Sequence, residues 1–281
     1  MRRRSSVDLS KTLVVCMMIL IIAGTVVVAV PFIWMLLTAF KTYFESTSIN
    51  PYIIFPTKIR FDAFITVTST FNFGRLYFNT LAMMAGRIVF AVLTASMAGY
   101  ALGRLKFIGR GFCFSLILAQ MMVPSQIFII PQYLMIVKLG ALNSLFALLF
   151  PGLVTAFGTF LLRQHFMALP ASVEESAQMD GANPFQVFLF IMFPLVTAGM
   201  VALGIFTALF AYKELMWPLI VNTANEAMPL SSALAKLQGQ AITYFPDLMA
   251  AATLASIPMI VIYLIFQRRF IEGIATAGLK L

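Results

Sequence analysis

Charge is what this sequence has least of. Only 10% of its 281 residues are Asp, Glu, Lys or Arg, against about 25% in an average soluble domain. Histidine occurs once, at His165, and cysteine twice, at Cys16 and Cys113. One histidine leaves no material for a metal cluster. Two cysteines in or near apolar runs give no disulfide framework, and both are expected to be inert packing residues. There is no G-x-x-x-x-G-K-[ST] phosphate loop, no H-E-x-x-H and no G-x-S-x-G. Nucleotide hydrolysis, zinc-peptidase chemistry and serine-hydrolase chemistry therefore have no local machinery, and no catalytic residue is expected. The alternating segments of about 10 residues that mark a β-barrel are also missing.

What remains is apolar: 61% of residues are hydrophobic and the mean hydropathy is +0.96. Several uncharged runs reach the roughly 20 residues that cross a bilayer. The fold class expected is an all-α membrane protein, one domain over 1–281, with six transmembrane helices at about 13–40, 76–102, 112–133, 144–167, 193–217 and 248–266. The start, MRRRSSVDLSK, is charged like a signal peptide's, but the apolar run after it is too long and lacks an A-x-A-like cleavage site. An uncleaved first span is expected. Span two is rich in small residues (Ala82, Ala85, Gly86, Ala91, Ala95, Ala98, Gly99), which let helices approach closely in lipid. Pro124 and Pro131 predict a kink or early stop in span three, and Pro151 and Gly152 interrupt span four.

The net charge of +9 is too dispersed for a nucleic-acid patch, and no nucleic-acid partner is expected. Basic clusters mark the cytoplasmic ends of spans instead. Arg2–Arg4, Arg104 with Lys106 and Arg110, and Arg268 with Arg269 all fall on one side of a six-span arrangement. Both termini are accordingly expected in the cytoplasm, with external loops at about 41–75 and 218–247.

Two charged groups fall within or beside spans. Arg87 lies inside span two, where it either serves an interior polar role or makes an ordinary interhelical contact. Lys213 and Glu214 lie near the outer half of span five, where Lys213 pairs with an acid, faces an anionic substrate or simply snorkels. With Tyr212 and Trp217, these make up a candidate substrate path.

The segment 170–194 is the sizeable polar, acidic stretch wedged between two apolar runs, and Glu174, Glu175 and Asp180 supply three of the chain's ten acidic residues. Pro170 suits a first helical turn, with Ser172 as an alternative cap. Gly181 suits a helix end at positive φ, and Pro184 can open the next helix. A short surface helix, a turn and a second helix leading into span five follow. On these residues alone it is either an ordinary interfacial loop or a docking element with small residues and carboxylates on offer.

EESAQMDGA, followed by the apolar run to Pro194, resembles the EAA loop of ABC-importer permeases. Glu175-Ser176-Ala177, Gly181 and Ile191 to Pro194 fall in register, with Ser176 replacing the first alanine. The stretches ALGRLKF, WPLIV, KLQGQ and FQRRFIEGIATAGLKL, with Asn79-Thr80, are similar to carbohydrate permeases of the maltose-transporter MalG type. The resemblance runs from about residue 79 to the C-terminus. The family often carries Trp-Asn-Glu where this chain has Tyr212-Lys213-Glu214, so Lys213 is an extra charge.

That resemblance implies a type I ABC importer permease fold in a bacterial inner membrane. It also implies a MalF-like sister permease, a cytoplasmic ABC ATPase dimer and an extracytoplasmic solute-binding protein. This chain itself would bind no cofactor, ATP and Mg being used by the ATPases. Glu174, Glu175, Ser176, Ala177, Asp180 and Gly181, in a coupling helix at about 170–184, would couple to the ATPase. Gln238, Gly239 and Gln240 would contact the binding protein. The cargo implied is a sugar or oligosaccharide, with glycerol-phosphate or an acidic saccharide as the alternative. A stand-alone secondary transporter would need more ion-relay acids inside its spans than Glu214 alone.

Overall fold

The computed structural model describes residues 5–49, 51–239 and 244–278. Among them there is no β-strand; an isolated bridge joins Ile49 to Tyr52. Three helical stretches are long and apolar enough to cross a membrane: Leu13–Ala39, Phe73–Arg104 and Phe245–Arg268. Three bent pairs meet the same test together, giving up to six spans. Each bend has a covalent cause. Arg110–Met122 and Ser125–Lys138 meet at 99°, and Pro124, which cannot donate a backbone hydrogen bond, stands at the break. Leu145–Gly152 and Ala156–Ala168 meet at 50° just after Pro151 and Gly152.

The third bend departs from expectation. The sequence suggests one span over 193–217, yet Pro184–Leu195 and Thr197–Lys213 meet at 73°. Pro194 lacks an N–H, and the preceding turns widen to a π-helix over Val187–Met192, which relieves the ring's clash with the turn before it. The helix then stops at Lys213, with Glu214 extended, and a separate helix covers Met216–Val221.

The chain divides into two compact units. The first comprises 1–70 and 237–257. It holds α1 (Ser5–Ala39), α2 (Tyr43–Thr47) and α3 (Asp62–Thr70), which precede the other unit in sequence. The span in α1 has 0% of its apolar window buried in the chain, so its side chains are left for lipid or another subunit. The loop after it is ordered by polar contacts. Lys41 is buried, sits 4.2 Å from the Trp34 ring centroid and donates to the Ile53 carbonyl at 2.7 Å. Glu45 is buried too. Its carboxylate accepts from the Thr42 backbone at 2.8 Å, from the Thr57 backbone at 3.0 Å and from the Thr57 hydroxyl. Trp34 stacks on Tyr52 at 5.7 Å, and Phe40 meets Phe64 at 5.2 Å.

The second unit comprises 71–236 and 258–281. Its axis is α4 (Phe73–Arg104), capped by the Asn72 side chain, which accepts from the Arg75 backbone at 3.0 Å. After it come α5 (Arg110–Met122), α6 (Ile129–Lys138), α7 (Leu145–Leu149) and α8 (Ala156–Ala168). The helices around the second and third bends follow: α9 (Ala171–Met179), α10 (Pro184–Leu195) and α11 (Thr197–Lys213).

α4 packs along α8 and α11. The small residues of span two do what their size allows: Ala91, Ala95 and Gly99 are buried. A side chain at Gly99 would lie 2.9 Å from the Arg163 backbone nitrogen, so the two helices touch backbone to backbone. In lipid, where apolar burial gains little, such close van der Waals packing is what holds helices together. Cys16 and Cys113 are both exposed on this chain. The expectation of packing cysteines is corrected: each sits on the outward apolar side of a helix that the core does not cover. His165 is half-buried, its ring against Gly199.

The segment after α11 is fastened by amides. Asn79 donates to the carbonyls of Glu226 and Met228, both at 2.9 Å, and Asn222 donates to Ala227 at 2.9 Å. The Asn143 side chain accepts from the backbones of Thr223 and Ala224 at 2.8 and 2.9 Å.

Four donors aimed at Glu45 hold its carboxyl down at about 2, against an ordinary value of 4.5. A folded-state value below the unfolded one adds stability that is complete above about pH 4.5 and is lost as pH falls through about 2. Hydrogen exchange at Thr57 should therefore be flat from neutral pH to about 4.5, after correction for intrinsic rates, and accelerate below it. Glu45→Gln should give the accelerated rate already at pH 7, with a loss of about 2 kcal/mol of local protection.

Candidate functional site

Two places in the second unit combine exposure with polar chemistry. The first is α9. It starts after Pro170, whose backbone is extended and gives no side-chain cap. Ser172 therefore lies inside the helix and is not its cap, because the ring at 170 already fixes the entry. At the other end, Gly181 adopts φ 87°. Its N–H reaches the Gln178 carbonyl at 3.0 Å, and the Ala182 N–H reaches Ala177 at 3.0 Å. This is the Schellman pattern, and a residue with a Cβ would be strained in it. Asn183 and Gln186 then cap each other at 2.9 Å, with Pro184 as first helical residue.

α9 has two unlike faces. Ala177 is buried, and Glu174 is drawn inward to an ion pair with Arg104 at 3.1 Å, the two side chains only 14% and 12% exposed. The other face carries Glu175, Ser176, Gln178, Met179 and Asp180, all exposed, with Met179 at 88%. So the three carboxylates do not share one surface: Glu175 and Asp180 face outward, while Glu174 is engaged within the chain.

The second place is a cleft of about 660 Å³, lined by residues of α4, α5, α6, α8, α11 and the breaks between helices. That volume falls in the range of small-molecule sites, about 300–1,000 Å³. Four of the five residues expected on a substrate path line it: Arg87, Lys213, Glu214 and Trp217. Tyr212 does not line it and packs instead against the buried cluster containing Met83, Leu148 and Trp217.

Arg87 is buried and its charge is fully engaged. It forms an ion pair with Glu214 and donates twice to the Leu148 carbonyl, at 2.8 Å from Nε and 2.5 Å from Nη2. Gly152 leaves room for its stem; a Cβ there would come within 2.5 Å of the Arg87 Cγ. Glu214 thus pairs with Arg87 and not with its neighbour Lys213, which is exposed at the cleft. The Trp217 ring is buried, its Nε1 donating to the Ala147 carbonyl at 2.8 Å.

Reading the sequence missed the rest of the lining. Gln120, Ser125, Gln126 and Gln132 contribute amides and a hydroxyl, and Phe128, Phe157 and Phe210 contribute rings. A signal existed: these glutamines interrupt an apolar span on both sides of Pro124. Gln238 and Gly239 are exposed at the end of Leu230–Gln238, and Gln240 lies outside the described residues. Among the described residues no cluster of His, Cys, Asp or Glu could hold a metal ion.

Residues 91–275 match the family described as the binding-protein-dependent transport system inner membrane component. One relative is the diacetylchitobiose uptake system permease protein DasC of Streptomyces coelicolor, 33% identical over 257 residues, 89% of this chain and 91% of that one. Another is the arabinooligosaccharides transport system permease protein AraQ of Bacillus subtilis, 32% identical over 80% of each chain. A third is the sn-glycerol-3-phosphate transport system permease protein UgpE of Escherichia coli O1:K1, 33% identical over 74% of each. Among solved structures, a chain of a bacterial ABC transporter involved in import of the acidic polysaccharide alginate superposes with a TM-score of 0.76. The match covers 95% of this chain and 98% of that one at 23% identity, a likeness of fold.

Removing Glu214 leaves the buried Arg87 charge without its partner, whereas removing Arg87 leaves Glu214 at the cleft beside Lys213. Glu214→Gln should lower unfolding stability in mixed micelles by about 3 kcal/mol and Arg87→Gln by less, and Arg87→Met with Glu214→Met should cost less than the two singles added together.

Proposed function

This chain belongs to the family of binding-protein-dependent transport system inner membrane components, and from that premise we propose that it is one of two membrane-spanning subunits of an ATP-driven importer for a sugar or oligosaccharide. It lies in a bacterial inner membrane with both termini in the cytoplasm. A sister permease completes the path, an ATPase dimer binds below, and a solute-binding protein delivers cargo from the far side. The spans 13–40 to 248–266 serve as one permease domain. No cofactor is held here; ATP and Mg belong to the ATPases, and this chain contributes motion and not catalysis.

The observation that carries the reading is the two-faced α9. Its inner face is tied to the bundle through Glu174 and Ala177, and its outer face presents the exposed side chains of Glu175, Ser176, Met179 and Asp180. A helix with a protruding methionine and two carboxylates, held by a glycine turn, has the form of a plug for a socket. Rotation of that plug as the ATPases close would open the cleft around Arg87 and Glu214 alternately to each side of the membrane. Glutamine amides and phenyl rings suit a neutral carbohydrate, which presents hydroxyls on its edges and C–H faces to stack. Gln238 and Gly239 are the described residues proposed to meet the binding protein.

Glu175→Lys combined with Gly181→Ala is expected to reduce both ATPase co-purification and ATP-driven uptake at least tenfold, a loss of about 1.4 kcal/mol or more in docking. Survival of both would overturn the docking role.

A second reading is favoured by Lys213. Arg87 and Glu214 neutralise each other, so the exposed ammonium at 213 gives the cleft a net positive charge. A carboxylate- or phosphate-bearing cargo would use it. In the reconstituted importer, uptake of diacetylchitobiose and of glycerol 3-phosphate should be compared before and after Lys213→Ala. The neutral reading predicts sugar uptake changed less than about twofold, whereas the anionic one predicts phosphate uptake reduced about tenfold, the equivalent of one lost charge contact.

A further inference from the structure

We propose that Arg104 is the positioning residue that carries the motion of α9 directly into α4, and through α4 to the cleft. The proposal rests on the reading of α9 as the docking helix. Arg104 is the last residue of α4. Its guanidinium meets three things at once: the Glu174 carboxylate at 3.1 Å, the carbonyl of Leu169 at 2.5 Å and that of Pro170 at 3.4 Å. Leu169 ends α8 and Pro170 opens α9. One side chain therefore joins the ends of three helices.

The electrostatics favour this junction on both sides. A cation at the C-terminal end of α4 meets the negative end of that helix dipole, and an anion in the first turn of α9 meets the positive end of that one. Both charged side chains are largely shielded from water, which sets the pair apart from the exposed ion pairs that contribute little.

The consequence is mechanical. Without the clamp, α9 would be joined to the bundle by its flanking backbone and by the packing of Ala177, with no ion pair to the end of α4. With it, a push on α9 is delivered to the end of a helix that also carries Arg87. Arg87 and Arg104 lie 17 residue steps apart in one unbroken helix, about 26 Å at about 1.5 Å per residue. Arg87 in turn holds Glu214 and the Leu148 carbonyl at the cleft. α4 is thus a rod with one arginine at each working end.

The test uses the whole importer in proteoliposomes, loaded with its binding protein, and reads molecules imported per ATP hydrolysed. Variants are Arg104→Glu, Glu174→Arg, the double exchange and the milder Glu174→Gln. ATPase co-purification is measured for each, and Glu175→Lys serves as the separate docking control. Each single reversal should keep at least half of the ATPase bound while imports per ATP fall about tenfold. Glu174→Gln, which keeps the shape and removes the charge, should fall two- to threefold. The double exchange should recover several-fold of the loss; it stays below wild type because a carboxylate at 104 cannot donate to the Leu169 carbonyl. If imports per ATP are unchanged in Glu174→Gln and in the assembled reversals, the proposal is overturned. It is equally overturned if the double exchange recovers nothing, for the residues would then act separately. If Glu175→Lys leaves ATPase binding intact, the docking reading fails, whatever the Arg104 series gives.

Discussion

A chain this apolar must satisfy its polar groups from within, and that constraint shapes every part of the second unit. Lipid offers no hydrogen bonds, so a charge or a free backbone group inside a span needs a protein partner. Arg87 meets the requirement with Glu214 and with the Leu148 carbonyl, one residue from the end of α7. Gly152, at the break that follows, leaves room for the arginine's stem. The same economy recurs with Arg104 at the end of α8, with Arg163 donating to the Leu102 carbonyl at 3.1 Å, and with Trp217 and Asn222 at the ends of α7. Polar side chains in this protein are chiefly fasteners for helix ends, and the bends they permit line the cleft.

The overall plan was legible because it depends on length and on covalent oddities. Six apolar runs, Pro124 in span three, Pro151-Gly152 in span four and the glycine at 181 each forced a local outcome that the fold then displays, whereas Pro131 falls in the first turn of α6 and bends nothing. The bend at Val196 was not legible, although Pro194 stood in plain view. Proline alone does not say whether a helix kinks, widens or stops, and here a π-turn and a break share the accommodation. Nor could one-dimensional spacing reveal partners. Glu174 and Glu175 are adjacent and chemically equal in the sequence, yet a helix turns neighbours by about 100°, and only one of them meets Arg104. That arginine itself served first as a vote on membrane orientation, because its partners at 169, 170 and 174 are far from it in sequence.

The cleft shows the same limit from another side. Charged residues are conspicuous in an apolar chain, so Arg87, Lys213 and Glu214 stood out. The glutamines did not, because an isolated amide in a span is unremarkable until the 99° bend turns Gln120, Gln126 and Gln132 toward one space. Tyr212 fails in the opposite sense: next to Lys213 in sequence, it points into the packed cluster, since successive helical residues diverge by the same angle.

The continuous helix between Arg87 and Arg104 has a consequence for how such a chain can vary. Exposed surface loops absorb insertions cheaply. Inside α4, a single inserted or deleted residue would rotate one end against the other by about 100° and shift it by about 1.5 Å. Either arginine could still find its own neighbours, but not both at once. Descendants of this sequence are then free to rewrite the outward side of α4 letter by letter, while the count of letters between 87 and 104 stays locked in phase.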